Sequence, residues 1–228
     1  MSEKRWEYLG EIQDDKRTEY GYCEKPVYDL TKRAADIGCS LLALVVLSPV
    51  FLAVSLLVKL EDGGDVFYSQ SRVGLNGKSF RIYKFRSMRP NADHVEDMLT
   101  PAQLDEYRRH FRLANDPRLT KIGAKIRSAS LDELPQLLNI LKGEISVVGP
   151  RPILREELEA YGDNRNLLLR VKPGLTGYWQ AYARHNASYH NYERQGMDLY
   201  YVTHRSLVFD IRIVMKTIAS VVLRKGAF

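Results

Sequence analysis

Residues 37–58 carry no charged side chain, and no other stretch of the 228-residue chain constrains its fold as strongly. A straight helix of that length would run about 33 Å, enough to cross the hydrocarbon core of a bilayer. Ser48 and Pro49 interrupt it near the middle. Proline lacks a backbone donor and crowds the preceding turn, so a kink is expected there. Either a kinked helix crosses the membrane, or a helix–break–helix enters and leaves on one side. Of the 34 Lys and Arg residues, seven precede the run and the rest follow it. Basic flanks tend to stay cytoplasmic, and a single crossing would separate them, so the re-entrant form is favoured. The Ser48 hydroxyl is placed to bond a carbonyl freed by Pro49, lowering the cost of open backbone in lipid.

Three segments follow: a polar tail over 1–25, the re-entrant hairpin over 26–60, and a cytosolic domain over 61–228. Lys32 and Arg33, just before the apolar run, are expected at the depth of lipid phosphates, with their stems snorkelling. The formal charge of +6 suits an anionic partner. Nucleic acid is the poorest fit, because the cations are scattered and no nucleic-acid motif is present. The two cysteines, Cys23 and Cys39, make neither a disulfide framework nor a metal spacing, which fits a reducing compartment. The polar residues ahead of the run and its length argue against a signal peptide.

The domain reads as α+β and mainly helical. Strand-like runs at 66–70 and 80–85 flank a Gly-Leu-Asn-Gly-Lys turn and predict a hairpin. Helices are expected over 92–99, 103–111, 119–128, 133–141, 153–160, 189–201 and 207–223. Leu134, Leu137, Leu138 and Leu141 form a core stripe. In the last helix Leu207, Ile211, Val214, Met215, Ile218 and Val222 share one face. That face either lies on an anionic membrane or packs into the core.

Four polar clusters carry the chemistry: KFRSMR from Lys84, NDPR from Asn115, RSASLDELPQ from Arg127, and GPRP from Gly149. Ser130 with Glu133 matches a capping box at the start of a helix, which is a structural reading. A helix start is also an anion site, and Arg127 one turn earlier could hold a phosphate. Asp132 could then attack phosphorus, and Glu133 could hold a divalent cation. Pro150-Arg151-Pro152 presents a guanidinium from a stiff backbone. Lys84 and Arg86 alternate onto one strand face. Each motif alone fits a solvated surface, and together they fit a diphosphate substrate.

The motifs YKFRSM, NDPRLTKIG, RSASLDELPQLLNILKGEISVVGPRP and KPGLTGYWQ, behind an apolar run broken at Ser-Pro, resemble the monotopic polyprenyl-phosphate phosphoglycosyl transferases, the bacterial sugar transferases. The resemblance covers roughly residues 26–225. It implies transfer of a sugar 1-phosphate from a UDP-sugar to undecaprenyl phosphate, release of UMP, and a need for Mg²⁺. It also implies a cytoplasmic-face, inner-membrane enzyme, with self-association left open. The family's Asp-Glu dyad falls on Asp132 and Glu133, with the Asp as covalent nucleophile and the Glu at the metal. Its phosphate-binding Arg falls on Arg127, and its Pro-Arg-Pro turn, by the nucleotide, on residues 150–152. Its interfacial Lys-Arg pair and Ser-Pro break match Lys32-Arg33 and Ser48-Pro49. Larger relatives carry an extra N-terminal membrane domain, so this chain is expected to be a stand-alone catalytic unit. Tyr182-Ala183-Arg184 departs from the small-residue–Gly–Arg found in many relatives, which makes Gln180 and Arg184 candidates for sugar choice. A membrane-anchored scaffold would leave the LDE, PRP and KFR motifs unused. A glycosyltransferase that moves sugar without phosphate would release UDP.

Overall fold

A computed structural model describes residues 22–92, 94–110, 113, 116–183 and 193–222. It is mostly helical with two small sheets. The apolar run forms two helices, α1 (Pro26–Val46) and α2 (Ser48–Asp62), bent by 63°. Among the described residues no single helix is long and apolar enough to cross a membrane, and the bent pair meets that test only jointly. The break is at Leu47. Pro49 occupies the first turn of α2, where the missing donor would have no helical partner anyway. The Ser48 hydroxyl donates to the Val45 carbonyl at 2.8 Å. Val45 lies four residues before Pro49, so its carbonyl loses the helical N–H partner that Pro49 lacks, and it is met instead by this hydroxyl and by a backbone N–H at the helix end.

After α2 ends at Gly63 in a left-handed turn, β1 (Phe67–Val73) and β2 (Ser79–Phe85) pair antiparallel, Phe67 opposite Phe85 and Val73 opposite Ser79. The turn between them carries left-handed Asn76 and Gly77, as a tight hairpin demands. Next come α3 (Val95–Met98), α4 (Pro101–His110) and α5 (Lys121–Ser128). Pro101 starts α4 rather than breaking a longer helix. A 3₁₀ turn over Leu131–Glu133 leads to α6 (Gln136–Lys142). The strand β3 (Ser146–Val148) pairs in parallel with β4 (Gly174–Thr176), across a 3₁₀ segment (Glu156–Asn164) and α7 (Arg165–Leu168). Then follow α8 (Tyr178–Tyr182), α9 (Glu193–His204) and α10 (Leu207–Val222).

The bent apolar helix pair is part of the core. On α2, Val54 and Val58 pack with Phe85 of β2 and Ile126 of α5. On α1, Ala43 and Leu44 pack against Leu137 and Ile140 of α6. The opposite sides stay uncovered: Leu42, Val45, Leu52 and Leu56 are all more than half exposed. A pair of helices with one face in a protein core and an apolar back suits a lipid environment.

Several expectations are corrected. The leucine stripe is rotated: Leu138 is exposed, while Gln136, Leu137, Asn139 and Ile140 are buried, because α6 starts only after Pro135. The helix expected over 153–160 is a later 3₁₀ segment, kinked at Gly162. On α10 the predicted stripe faces outward. Leu207, Ile211, Met215 and Ile218 are exposed, and the buried side is carried by Asp210 and Ile213. The core reading of that stripe therefore fails for these residues. The side chain of Val222 lies outside the described residues.

Candidate active site

Asp132 is the buried centre of the Leu131–Glu133 turn. The expected capping box does not form. Ser130 takes a left-handed backbone (φ 56°), its side chain caps nothing, and the helix proper begins at Gln136. A left-handed residue reverses the chain after α5, so α5 and α6 meet at the turn that holds the two carboxylates. Such a conformation costs a non-glycine residue about 1–2 kcal/mol, and functional sites are where it is commonly kept.

The apolar helix pair braces this turn from both sides. Glu61, at the end of α2, accepts the Ile122 backbone N–H at the start of α5, 3.0 Å away. Thr120 caps α5 through the Gly123 N–H. Gly123 lies so close to the backbone beyond β2 that a Cβ there would fall 1.9 Å from the Ser87 carbonyl oxygen. On the other side Arg33 of α1 donates to the Ile140 and Leu141 carbonyls, at 2.5 and 2.8 Å, at the end of α6. A cation on the last carbonyls of a helix satisfies them and the dipole together. The hairpin thus fixes the position of the turn that carries Asp132.

Lys84 comes from β2, held to α6 by the wholly buried Asn139. Its amide donates to the Arg81 carbonyl and to Glu144, and it accepts the Tyr83 N–H. That clamp sets the Lys84 ammonium 3.0 Å from Glu133 Oε1 and 3.9 Å from Asp132 Oδ2. Burial pushes the Asp132 carboxyl up to about 6. Lys84 opposes that rise, Glu133 adds to it, and Arg127 also opposes it. Asp132 is therefore a desolvated carboxylate whose ionisation burial opposes and two cations favour. Arg127, in the last turn of α5, is half-buried.

Not every candidate converges here. Arg86 lies one residue past β2 and pairs with Asp62 at the end of α2, closing the hairpin rather than facing Asp132. Lys32 pairs with Asp210 of α10 at 2.7 Å, and Arg33 caps α6, so both cations expected among lipid phosphates are spent inside the protein. The reason is tertiary: α10 turns the Asp210 carboxylate inward, and α6 ends beside α1.

Pro150 and Pro152 are buried around Arg151. Gly174 donates to the Pro150 carbonyl at 2.8 Å. The Arg151 guanidinium lies over the Trp179 ring at 5.8 Å, and burial together with Arg194 lowers its pKa to about 10. Glu133 draws it the other way, which ties the Pro-Arg-Pro turn electrostatically to the dyad. Gln180 sits on α8, its side-chain oxygen buried without a partner. Arg184 and Asn115 lie outside the described residues.

Sequence reasoning missed the cluster behind Arg151. Arg194 also lies over Trp179, pairs with Glu157 at 3.2 Å, and reaches Asp198 one turn along α9. Asp198, completely buried, accepts the Tyr161 hydroxyl at 2.8 Å and is pushed up to about 6 by burial. Its Oδ1 also lies 3.4 Å from the Arg151 N–H. The available signal was an Arg and an Asp four apart on one helix, both on a buried face. Among the described residues no three His, Cys, Asp or Glu side chains gather as a metal cage. Mg²⁺ does not need one, since it is commonly held by one or two carboxylates together with substrate phosphates. Glu133, at the surface beside Asp132, fits that mode.

The buried Asp132, with the half-buried Glu133 and the cations Lys84 and Arg127 beside it, is thus braced on a bent apolar hairpin. The profile of the family described as bacterial sugar transferase matches residues 27–224, and the chain belongs to that family. It is 45% identical over 207 residues to the exopolysaccharide production protein ExoY of Sinorhizobium fredii, covering 90% of this chain and 91% of that one. It is 44% identical over 200 residues to the undecaprenyl-phosphate galactose phosphotransferase of Salmonella typhimurium, covering 86% of this chain and 41% of that protein. The galactosyl transferase CpsE of Streptococcus agalactiae is 41% identical over 199 residues, 87% of this chain and 43% of that one.

Proposed function

We propose that this enzyme transfers a sugar 1-phosphate from a UDP-sugar to undecaprenyl phosphate, through a covalent intermediate on Asp132. An Asp132 carboxylate oxygen attacks the sugar-bearing phosphorus of the donor. The bond from that phosphorus to the bridging oxygen breaks, and UMP leaves with the electron pair. An oxygen of undecaprenyl phosphate then attacks the same phosphorus, and Asp132 departs as carboxylate. The product is a lipid diphosphate sugar. One observation supports this reading: a single buried carboxylate, destabilised by burial, lies 3.9 Å from the Lys84 ammonium and within the field of Arg127. Desolvation makes such an oxygen more reactive, while the cations offset the repulsion between two anions.

Lys84, Arg127 and Arg151 bind and orient the diphosphate. Mg²⁺ at Glu133, when bound, neutralises charge on the phosphate oxygens. The bent hairpin is read as monotopic on the cytoplasmic face, so that donor and lipid phosphate meet at one interface. The exposed stripe of α10, with Arg212 and Lys216 beside it, suits the same surface. Relatives named for galactose and for lipid carriers support UDP-galactose as the first donor to test, and exopolysaccharide as the product class. The test is Asp132→Asn in membranes with UDP-galactose and undecaprenyl phosphate. UMP release should vanish. Turnover at the wild-type rate, or UDP as the product, refutes the assignment.

A further inference from the structure

Two carboxylates of the apolar helix pair take no part in the chemistry: the buried Asp36 on α1 and the half-buried Glu61 at the end of α2. Each reaches across to an element that delivers one guanidinium to the site. Asp36 is 5% exposed, and its Oδ1 accepts the Ser146 hydroxyl at 3.1 Å and the Val147 N–H at 3.0 Å, both from β3. That strand runs directly into Gly149 and the turn bearing Arg151. Four residues separate Val147 from Arg151, a path of at most about 14 Å. The path is stiff. Gly149 donates to the Thr176 carbonyl at 2.9 Å, and the Pro150 carbonyl accepts the Gly174 N–H at 2.8 Å. A Cβ on Gly149 would fall 2.5 Å from the Lys172 carbonyl oxygen, so this backbone lies flush against the turn before β4. With proline on both sides of Arg151, a shift of β3 is passed on to the guanidinium over Trp179.

Glu61 treats the other guanidinium in the same way. It accepts the Ile122 N–H in the first turn of α5 at 3.0 Å. Burial raises the Glu61 carboxyl, yet the Ile122 N–H, the Thr120 hydroxyl and the Lys121 N–H together hold it below its ordinary range. A carboxylate on the free N–H groups of a helix start fixes that end of the helix. Arg127 lies five residues beyond Ile122 on α5, about 7.5 Å along the axis, so pinning the start sets where Arg127 stands beside Asp132. Among the described residues neither guanidinium is hydrogen-bonded to a protein acceptor, and each takes its place from the backbone that carries it.

We infer that Asp36 and Glu61 are positioning residues for donor binding, each acting through a different guanidinium: Asp36 through β3 on Arg151, and Glu61 through α5 on Arg127. Both work as hydrogen-bond acceptors, one on each helix of the bent pair. The inference rests on the reading of Arg127 and Arg151 as diphosphate-binding groups, and does not require Asp132 to be the nucleophile.

The test is a set of double-mutant cycles on the full chain in nanodiscs, read as the dissociation constant for UDP, with gel filtration to show that each variant folds. Asp36→Ala and Arg151→Met should each weaken UDP about tenfold, and the double variant should bind no worse than Arg151→Met, because Asp36 then has nothing left to act through. Glu61→Ala with Arg127→Met should behave alike. The crossed pairs, Asp36→Ala with Arg127→Met and Glu61→Ala with Arg151→Met, should instead add to about a hundredfold. Asp36→Asn and Glu61→Gln should stay within about twofold of the wild type, since an amide oxygen accepts the same donors. Should Asp36→Ala not fold, Ser146→Ala removes one of the two donors and should show the same coupling to Arg151 at about threefold. Additive matched pairs, equal coupling in matched and crossed pairs, or full loss of affinity in Asp36→Asn overturn the inference, while UMP release by Asp132→Asn is judged separately. A wild type that binds no UDP contradicts the substrate class and this inference together.

Discussion

Replacing Lys84 with Met removes the cation that most opposes neutralisation of Asp132 while leaving the turn intact. The ammonium lies 3.9 Å from Asp132 Oδ2. At that distance Coulomb's law gives about 1 kcal/mol in water and about 4 kcal/mol at an effective dielectric of 20. The Lys84 side chain is 27% exposed, and solvent screening moves the expected value to about 1–2 kcal/mol, or roughly one pKa unit. The sign follows from which form the cation favours. Lys84 stabilises the ionised carboxylate, so its loss raises the Asp132 pKa. The acidic limb of kcat/KM for UMP release, expected near 6 in the wild type from the burial of Asp132, should move to about 7. At pH 6.5 the variant should fall about threefold further below its own plateau than the wild type does. The plateau itself will also drop, because Lys84 faces the diphosphate, and Lys84→Arg should restore the limb. A pH–rate profile that keeps its limb in Lys84→Met, or moves it to lower pH, refutes the electrostatic account of the dyad.

Asp132→Asn should be inactive yet more stable. A carboxyl raised by burial lends stability below its unfolded pKa near 4 and loses it as pH rises through about 6, so at pH 7 the ionised group is a burden of about 1–3 kcal/mol. Thermal unfolding in detergent at pH 7 and pH 4.5 should show the gain only at the higher pH. Asp210→Asn should cost about 3–5 kcal/mol by stranding Lys32 and weakening the bonds from Tyr28 and Tyr201, and a chemical denaturation midpoint measures it. With Cys23 and Cys39 replaced, single cysteines at residue 10 and in the C-terminal tail should be equally shielded from an impermeant thiol reagent in intact cells. Labelling of one end alone would mean a crossing.

The bend at Ser48-Pro49 and the hairpin strands were legible because each rests on local rules, a missing donor and period-two alternation, and the closeness of the Asp132 and Glu133 carboxylates follows from their adjacency in sequence. The partners of Lys32, Arg33 and Arg86 were not. Each of those cations meets a group distant in sequence, Asp210, Ile140 and Asp62 respectively, and no periodicity encodes such meetings. Ser130 was misread for a related reason. Its side chain fits a cap, but the chain must reverse there to bring α5 and α6 together, and that tertiary demand overrides the local preference. The outward face of α10 was undecidable from sequence, since an apolar stripe reads alike against a core or a lipid surface.

The central claim is that Asp132 carries the phosphosugar. Incubating the purified enzyme with UDP-galactose and Mg²⁺, without lipid acceptor, and weighing the intact protein tests it most directly. The account predicts a mass increase of one hexose phosphate, localised to the peptide bearing Asp132, matched by stoichiometric UMP and discharged on adding undecaprenyl phosphate. An unmodified protein that releases UMP only once the acceptor is present would contradict it.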